Sequence, residues 1–159
     1  MKYLFLAALL PLFAACSSTK NITTQENDFS KIKSMVAEKN IEFVVQRMNP
    51  AKGLPQNITS FYHLKTSNDS LYVQLPYIGQ AYIAPVNPGQ SPYDFISTSF
   101  DFQVTAEKAD RLNITIKPRD KQNVQQFSLV IYDNGNASLS VNSSDRQGIS
   151  YDGYIAQQH

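Results

Sequence analysis

A period-two alternation of apolar and polar residues recurs along this chain from about residue 42 to its end, and it is the feature that most constrains the fold. In the segment RLNITIK, for example, Leu112, Ile114 and Ile116 alternate with polar residues. Because successive side chains of a β-strand point to opposite faces, this pattern predicts strands with one buried and one solvated face. Short strands of this kind, separated by turn residues, pair mainly through hairpins. The sequence therefore predicts a mostly antiparallel β fold.

The segment HLKTSNDSLYVQL contains a hairpin in which pattern and turn chemistry agree. A two-residue turn at Asn68 and Asp69 places Leu64 opposite Val73 and gathers the apolar residues on one face, whereas a three-residue loop breaks that face. Both turn residues tolerate the positive φ that a two-residue hairpin requires. The sequence thus predicts the register of this hairpin as well as its existence.

A second hairpin, in FSLVIYDNGNASLSV, requires a longer turn. The three-residue loop Asp133–Gly135 pairs Leu129 with Leu139 and again keeps the apolar residues together. We expect Gly135 to adopt the left-handed conformation that accompanies a turn of this kind.

One N-terminal helix is predicted before the strands, over residues 28–39. Its apolar residues recur at helical spacing, with Asp28 as the N-cap and Asn40 as the residue that ends the helix. The apolar stripe consists of Phe29, Ile32, Met35 and Val36. Because a single apolar stripe must be covered, we expect the helix to pack on the sheet. The predicted fold class is α+β and mostly β, with about seven or eight antiparallel strands in a barrel-like or two-layer sheet.

Residues 1–15 have the pattern of a secretory signal peptide, with one cation at Lys2 followed by an apolar run. Phe13-Ala14-Ala15-Cys16 resembles a bacterial lipobox, which predicts cleavage before Cys16 and attachment of diacylglycerol and acyl chains such as palmitate to it. The alternative is ordinary secretion that leaves Cys16, the single cysteine of the chain, as a free thiol. Residues 16–26 are predicted to be a flexible tether and residues 27–159 a single β-rich domain.

A lipidated cysteine predicts a protein of the cell envelope that its acyl chains anchor to the outer membrane. The polar residues after Cys16 lack an acidic run, which favours a periplasm-facing location. The chain has 14 cations and 13 acids, so loss of Lys2 with the signal leaves 13 of each, evenly scattered. Without a basic face, we expect no nucleic acid partner.

Two motifs in the chain are specific enough to suggest a family, LPY-x-G at residues 75–79 and R-Q-x-I-S-Y-x-G at residues 146–153. The residues that accompany them are Phe43 to Pro50, Ala84-Pro85, Gly135, Ala137, Leu139 and Val141. Together they resemble the domain of unknown function 4251 family, whose members are predicted lipoproteins found mainly in Bacteroidetes. That family has no established activity, so the resemblance implies a compartment and a fold but no catalytic residue.

Catalytic and metal-binding patterns are missing from the sequence. His63 is expected on the wet face of a strand and His159 at the frayed chain end, so neither is placed as a general base. Asp94 and Asp101 flank a strand, but turn chemistry explains the first of them. No metal-ligand spacing and no phosphate-binding glycine loop occurs. We therefore expect a non-enzymatic protein without a metal or cofactor.

The best candidate for contact with a partner is the segment LPYIGQAYIAPVNPGQSPYDF, which holds four of the eight prolines. Tyr77, Tyr82 and Tyr93 would offer contact area at little entropic cost. The prolines forbid a central strand, so we expect an irregular path from Pro76 to about Asp94, with at most a short edge strand from Gln80 to Ala84.

Arg146 and Tyr151 allow two interpretations. A guanidinium near an aromatic face binds carboxylates and sugars, but it also ties strands together by stacking and by pairing with Asp145 or Asp152. The structural interpretation is favoured because both residues lie in one short segment that contains two glycines.

Ser70 is a candidate modification site. Asp69-Ser70-Leu71 is similar to the O-glycosylation site of Bacteroidetes envelope proteins, and it lies at a predicted hairpin tip. The alternative is ordinary turn chemistry.

Three functions are compatible with the sequence. The leading hypothesis is a non-enzymatic binding or scaffolding module whose partner is an envelope protein, a glycan or a small ligand. The second is a carrier that holds a small amphipathic ligand in a barrel cavity, although the large core candidates favour a filled barrel. The third is an envelope-polymer enzyme of unrecognised type, which requires His63, Asp94 or Asp101 and a serine in one cleft.

Overall fold

The computed structural model describes residues 22–83 and 91–157 of the 159-residue chain. Within these residues the chain forms one helix and ten strands. Their bounds are α1 (Ile22–Ala37), β1 (Glu42–Pro50), β2 (Gln56–Asn57), β3 (His63–Ser67), β4 (Ser70–Leu75), β5 (Tyr93–Ser97), β6 (Phe100–Glu107), β7 (Arg111–Pro118), β8 (Val124–Tyr132), β9 (Asn136–Ser143) and β10 (Ile149–Ile155). The predicted mostly β fold with one N-terminal helix is confirmed.

All ten strands belong to one antiparallel sheet. The strand order is β5-β4-β3-β1-β10-β9-β8-β7-β6, and β2 pairs with the later part of β1. The edge strands β5 and β6 are consecutive in the chain and are joined by Thr98 and Ser99. Because this connection spans at most about 11 Å, the sheet must curl until its two edges nearly meet. The sheet is therefore a nearly closed barrel, which was one of the two predicted arrangements.

Side chains of strand β5 contact strands that are distant from it in the strand order. The Tyr93 hydroxyl lies 2.9 Å from the Ser143 hydroxyl at the end of β9, and the Phe95 and Phe127 rings lie 6.4 Å apart. Ser97 donates a hydrogen bond to a carboxylate in the connection that follows β7. Side-chain contacts thus hold the barrel together where the backbone ladder is interrupted.

The sequence did not predict β2 or β5. Strand β5 begins at Tyr93, within the segment expected to be irregular as far as Asp94. In this strand the apolar Ile96 is exposed and the polar Ser97 is buried, so hydropathy does not show the alternation. Strand β2 has two residues, which is too short for a periodic pattern.

The β3–β4 hairpin has the predicted register. Leu64 lies opposite Val73 and Thr66 opposite Leu71, and all four side chains are buried. Asn68 adopts a φ of 50°, as a two-residue turn requires.

The β8–β9 hairpin is also confirmed in register. Leu129 pairs with Leu139 across the three-residue loop, and Gly135 has a φ of 80°. A Cβ atom built on Gly135 would lie 3.8 Å from Cδ1 of Ile32, so this turn also packs against α1.

Helix α1 begins earlier than predicted, so it overlaps the segment that we expected to be a tether. Asp28 lies inside it, and the prediction that this residue is the N-cap is wrong. At the other end, Lys39 rather than Asn40 takes the left-handed conformation, with a φ of 53°. The Lys39 N–H donates to the carbonyl of Val36, and the Asn40 N–H donates to that of Met35. These two bonds form a Schellman motif, which ends the helix at a residue that its side chain alone does not identify.

One continuous hydrophobic cluster occupies the barrel interior. The apolar stripe of α1 contributes to it as predicted, and so do the inner faces of the strands. Strand β6 contributes no fully buried residue: Phe100 and Phe102 are half-buried and pack against the cluster, and Val104 is exposed. The largest strand residues in the cluster are Phe43, Phe127, Tyr93 and Tyr151.

Candidate binding site

Two connections meet at one end of the barrel, residues 76–92 between β4 and β5 and residues 144–148 between β9 and β10. Side chains from these connections and the adjoining strands form a compact group that we call the Tyr–Arg cluster. Its members are Tyr77, Tyr93, Asp145, Arg146 and Tyr151. The cluster contains four of the five residues that the sequence suggested as contacts for a ligand or partner.

A buried ion pair is at the centre of the cluster. The Arg146 guanidinium donates to both carboxylate oxygens of Asp145, through Nε at 2.9 Å and through Nη2. The two side chains are only 10% and 6% exposed. The hydrogen bond from Arg146 lowers the pKa of the Asp145 carboxyl, and the same bond raises the pKa of Arg146, so both groups stay charged.

Aromatic rings cover the guanidinium. The Arg146 Cζ atom lies 5.4 Å from the centre of the Tyr77 ring and 5.9 Å from that of Tyr93. The two rings meet edge to face, with centroids 5.5 Å apart. Because the rings supply cation–π contacts and Asp145 supplies the counter-charge, Arg146 is satisfied within the protein. This arrangement matches the structural interpretation of Arg146.

The buried tyrosines attach strands to the connection through their hydroxyl groups. The Tyr151 hydroxyl donates to the carbonyl of Pro76 at 2.6 Å, and the Tyr93 hydroxyl bonds with Ser143. Burial raises the pKa of Tyr93 to about 12 and also raises the pKa of Tyr151, which the nearby Tyr93 and Tyr77 raise further. Both phenols are therefore neutral at physiological pH, and that of Tyr151 is a hydrogen-bond donor.

Tyr77 joins the two connections directly. Its hydroxyl proton is shared between the carbonyl oxygens of Gln147, at 3.1 Å, and Gln80, at 3.2 Å. The Gln147 N–H donates in turn to the Gln80 carbonyl at 2.9 Å. This triangle brings residues 75–79 and residues 146–153, the two specific motifs of the sequence, into contact.

Close approach explains the glycine in each motif. A Cβ atom on Gly79 would lie 2.5 Å from the hydroxyl oxygen of Tyr77, whose ring folds over it. A Cβ atom on Gly153 would overlap the backbone carbonyl oxygen of Val44, beside the irregular pairing that follows Val45. Gly153 is therefore required for space, whereas a side chain at Gly79 would have to displace the hydrogen-bonded hydroxyl end of Tyr77.

Backbone bonds fix the segment that follows Gly79. The N–H groups of Tyr82 and Ile83 donate to the carbonyl oxygen of Asp145, at 2.7 and 3.3 Å. Ala81 forms an isolated antiparallel bridge with Arg146. This bridge takes the place of the short edge strand expected from Gln80 to Ala84, and residues 84–90 lie outside the described part of the chain.

Three large apolar side chains on this fixed segment point into solvent. Ile78 is 46% exposed, and Tyr82 and Ile83 are each 64% exposed. We call these three residues the apolar surface. Singly exposed apolar residues are common, but a group of them on one short, anchored segment is typical of a contact site.

A family model for a domain of unknown function, DUF4251, matches residues 23–155, which contain both motifs and the whole Tyr–Arg cluster. The chain belongs to the DUF4251 family. A DUF4251 family protein from Bacteroides eggerthii DSM 20697, known from a crystal structure, has a similar fold, with a TM-score of 0.60 over 84% of this chain and 89% of that chain. The two are 13% identical, so the likeness concerns the fold. None of the curated proteins compared with this DUF4251 member matches it.

The predicted contact residues of this DUF4251 protein differ in their exposure to solvent. Tyr93 and Tyr151 are fully buried, so a partner at the surface cannot reach them. This burial is contrary to the expectation that Tyr93 offers contact area, whereas for Tyr151 it agrees with the favoured structural interpretation. Arg146 is buried as well, and Tyr77 is half-buried. Tyr82 alone among the five is largely exposed.

Sequence reasoning missed Ile78 and Ile83, which accompany Tyr82 at the surface. The signal was present, because large apolar residues are unusual in a connection punctuated by glycine and proline. Ser70 lies at the β3–β4 hairpin tip, opposite Ser67, as expected for a turn residue. Cys16 and the looser part of the segment, residues 84–90, lie outside the described residues.

The residues considered for catalysis lie apart. His63 and Asp94 both face Gln74 from opposite sides, so two strand spacings, about 10 Å, separate them. Asp101 forms an ion pair with Arg119 at the start of β6. Among residues 22–83 and 91–157, no three His, Cys, Asp or Glu side chains lie close enough together to hold a metal ion. His159 lies outside those ranges.

Proposed function

We propose that this DUF4251 protein is a non-enzymatic, lipid-anchored binding module of the cell envelope, and that it contacts a partner protein through the apolar surface. One observation carries the proposal. Ile78, Tyr82 and Ile83 are exposed on a segment whose backbone is hydrogen-bonded to a buried ion pair and its aromatic surroundings. A rigid apolar surface loses little conformational entropy on binding, so most of its contact energy is available for affinity.

The chemistry of the surface indicates a protein partner with a shallow apolar pocket. The aromatic ring of Tyr82, accompanied on the same segment by Ile78 and Ile83, supplies the kind of anchor that dominates protein interfaces. The Tyr82 hydroxyl adds a polar tip, which finds a hydrogen-bond partner at the rim. The surface carries no charged side chain of its own, so we expect binding to depend weakly on salt.

The interior of the barrel favours this proposal over a ligand carrier. A carrier needs an open cavity, whereas the described core residues form one continuous cluster that includes several of the largest side chains. Barrels of this size are generally filled by side chains when these are large.

The anchor would keep the module near the membrane. Helix α1 begins at Ile22, six residues after Cys16, so an extended chain between them spans at most about 20 Å. The sequence supports lipidation of Cys16 through its lipobox-like pattern. Among the described residues, α1 is too short and too polar to cross a bilayer, and no other helix there does so.

Site-specific photo-cross-linking in the native cell tests the proposed contact. Tagged full-length protein carries a photoreactive residue in place of Ile83, and the control carries it in place of Leu54, which is even more exposed at 83%. We expect one dominant cross-linked envelope protein from position 83 and none in common with position 54. The Tyr82→Ser variant should lower the yield from position 83 strongly while thermal stability stays unchanged, since the side chain is exposed.

Identical products from positions 83 and 54, or an unchanged yield in the Tyr82→Ser variant, would contradict a specific contact at the apolar surface. Replacement of Cys16 by serine tests the anchor independently. The variant should move from the membrane fraction to the aqueous fraction and should lose incorporation of an alkyne-labelled palmitate.

A further inference from the structure

A concave site that shares no residue with the Tyr–Arg cluster lies beside the connection from β5 to β6. It is a cleft of about 530 Å³ between the start of β6 and the connection from β7 to β8. Lys117, Arg119 and Lys121 line it together with Asp101, Gln122 and Gln125, and we call it the basic cleft. Its volume is in the range of sites that hold small organic molecules.

The charges of the basic cleft are unbalanced. The Asp101 carboxylate lies opposite Lys117 in the β6–β7 ladder but forms its ion pair with Arg119. Lys117 is exposed, and no carboxylate of the described residues lies within ion-pair distance of it. Lys121 lies 5.4 Å from the centre of the Phe95 ring. Lys117 and Lys121 thus line the cleft without an ion pair to a carboxylate of the described residues, although the charge of Lys121 also acts on Asp120.

Asp120, the acidic residue of the connection from β7 to β8, is not among the residues that line the cleft. Asp120 accepts hydrogen bonds from the Ser97 hydroxyl and the Thr98 N–H, which join β5 to β6. The bond from Ser97 lowers the pKa of Asp120, so it remains an acceptor for these groups. Its carboxylate is thus occupied at the connection from β5 to β6.

The same bonds make the cleft rigid. The Arg119 N–H donates to the carbonyl of Ser99 at 2.7 Å, next to the two bonds that Asp120 accepts. The adjoining Val124 is buried in the core. The backbone of the connection that carries Lys121 is therefore fixed at both ends before any ligand binds.

We propose that the basic cleft binds a small, polar molecule that carries a phosphomonoester group. A phosphomonoester has a charge of about −1.5 to −2 at pH 7, which matches the two ammonium groups of Lys117 and Lys121. Lysine binds phosphate as a point charge, and the amides of Gln122 and Gln125 are suited to hydroxyl groups on the rest of the molecule. The volume of the cleft exceeds that of a phosphate ion and accommodates a molecule of the size of a sugar phosphate.

Isothermal titration calorimetry of the full-length protein in a nonionic detergent tests this proposal with glucose 6-phosphate as the probe. The test variant combines Lys117→Gln and Lys121→Gln. The control combines Lys52→Gln and Lys108→Gln, two exposed lysines outside the cleft, so both proteins lose the same net charge. Since a hydrogen bond to a charged group contributes about 1.5–3 kcal/mol, we expect the cleft variant to bind at least about tenfold more weakly and the control to bind as the wild type.

Three further probes test which chemical groups of the ligand the basic cleft recognises. Glucose should not bind, which shows that the phosphate is required, and inorganic phosphate should bind more weakly than glucose 6-phosphate. Short-chain phosphatidic acid carries the same group on an apolar body, so a preference for it would overturn the assignment of a polar ligand. No binding of glucose 6-phosphate, or an equal loss in the cleft and control variants, would overturn the site itself.

Discussion

The β8–β9 hairpin and the Tyr–Arg cluster are both built from short sequence motifs, but their contacts differ in range. In the hairpin, Leu129 meets Leu139 across a three-residue loop, so the contacts that set its register join residues that are close in sequence. In the cluster, the hydroxyl of Tyr151 bonds to a carbonyl 75 residues away, and that of Tyr93 to a side chain 50 residues away. The hairpin can form from local preferences, whereas the cluster can form only after the barrel has closed.

Among the predicted effects, loss of the Arg146 side chain from the cluster should cause the largest decrease in the free energy of unfolding. Arg146→Ala leaves Asp145 buried without its counter-charge, and we expect the free energy of unfolding to fall by about 3–5 kcal/mol. Urea unfolding followed by circular dichroism measures the change. Arg119→Ala, which breaks the exposed pair with Asp101, is the matched control and should change stability by at most about 1 kcal/mol. Equal losses of unfolding free energy in the two variants would contradict the conclusion that the stability of the cluster depends on its buried ion pair.

A methyl group at Gly153 should have the next largest effect. In Gly153→Ala the new Cβ meets the carbonyl oxygen of Val44, so β1 and β10 must separate, at an expected loss of about 3 kcal/mol in unfolding free energy. Gly148→Ala is the control, since its nearest neighbours lie at 3.4 Å. Thermal unfolding of both variants checks this, and a Gly153→Ala protein as stable as Gly148→Ala would contradict the close approach of the two strands.

Alkaline pH should weaken the cluster through Tyr93. The phenol ionises near pH 10 in the unfolded chain, whereas burial raises its pKa to about 12 in the folded protein. The stabilisation is therefore complete below pH 10 and is lost as the pH rises towards 12, by about 2–3 kcal/mol. Denaturant titrations from pH 8 to 12 measure this loss, and Tyr93→Phe should reduce it. The pKa of Tyr151 is raised in the same direction, so part of the loss should persist in that variant.

The smallest effect is expected in the hairpin. Gly135→Ala places a Cβ on a residue with a φ of 80° and should destabilise the protein by about 1 kcal/mol. Gly135→Asn should lose less, because asparagine tolerates the left-handed conformation. The comparison of the two variants by thermal unfolding separates conformational strain from a packing effect against Ile32. If Asn destabilises more than Ala, packing at this turn dominates over conformation.

The sequence predicted the parts of the fold that depend on neighbouring residues. Alternation and turn chemistry were sufficient for both hairpin registers, and helical spacing was sufficient for the stripe of α1. Prediction failed at Lys39, where a backbone conformation ends the helix, and in β5, where Ile96 faces outward and Ser97 inward. At Lys39 the side-chain type does not reveal the backbone conformation, and in β5 the burial of each residue depends on what the strand packs against.

In the candidate site, too, the sequence predicted some features and missed those that depend on tertiary contacts. The sequence identified Tyr82 and the two motifs, and it suggested a structural role for Arg146. It did not indicate that Tyr93 and Tyr151 are buried, that Ile78 and Ile83 are exposed, or that the cations of the basic cleft lie together. Each of these facts depends on which strands and connections become neighbours.

The amino-acid sequence by itself determined the β character of the chain, the registers of its hairpins, the helical stripe and the family, because each rests on residues within a few positions or on motifs read in order. Only the tertiary structure decided that the sheet curls into a barrel and that the two motifs contact each other. The physical reason is that a guanidinium, a carboxylate and the phenols of Tyr93 and Tyr151 can be buried at acceptable cost only where every one of them finds a partner. Those partners come from segments as far as 75 residues apart.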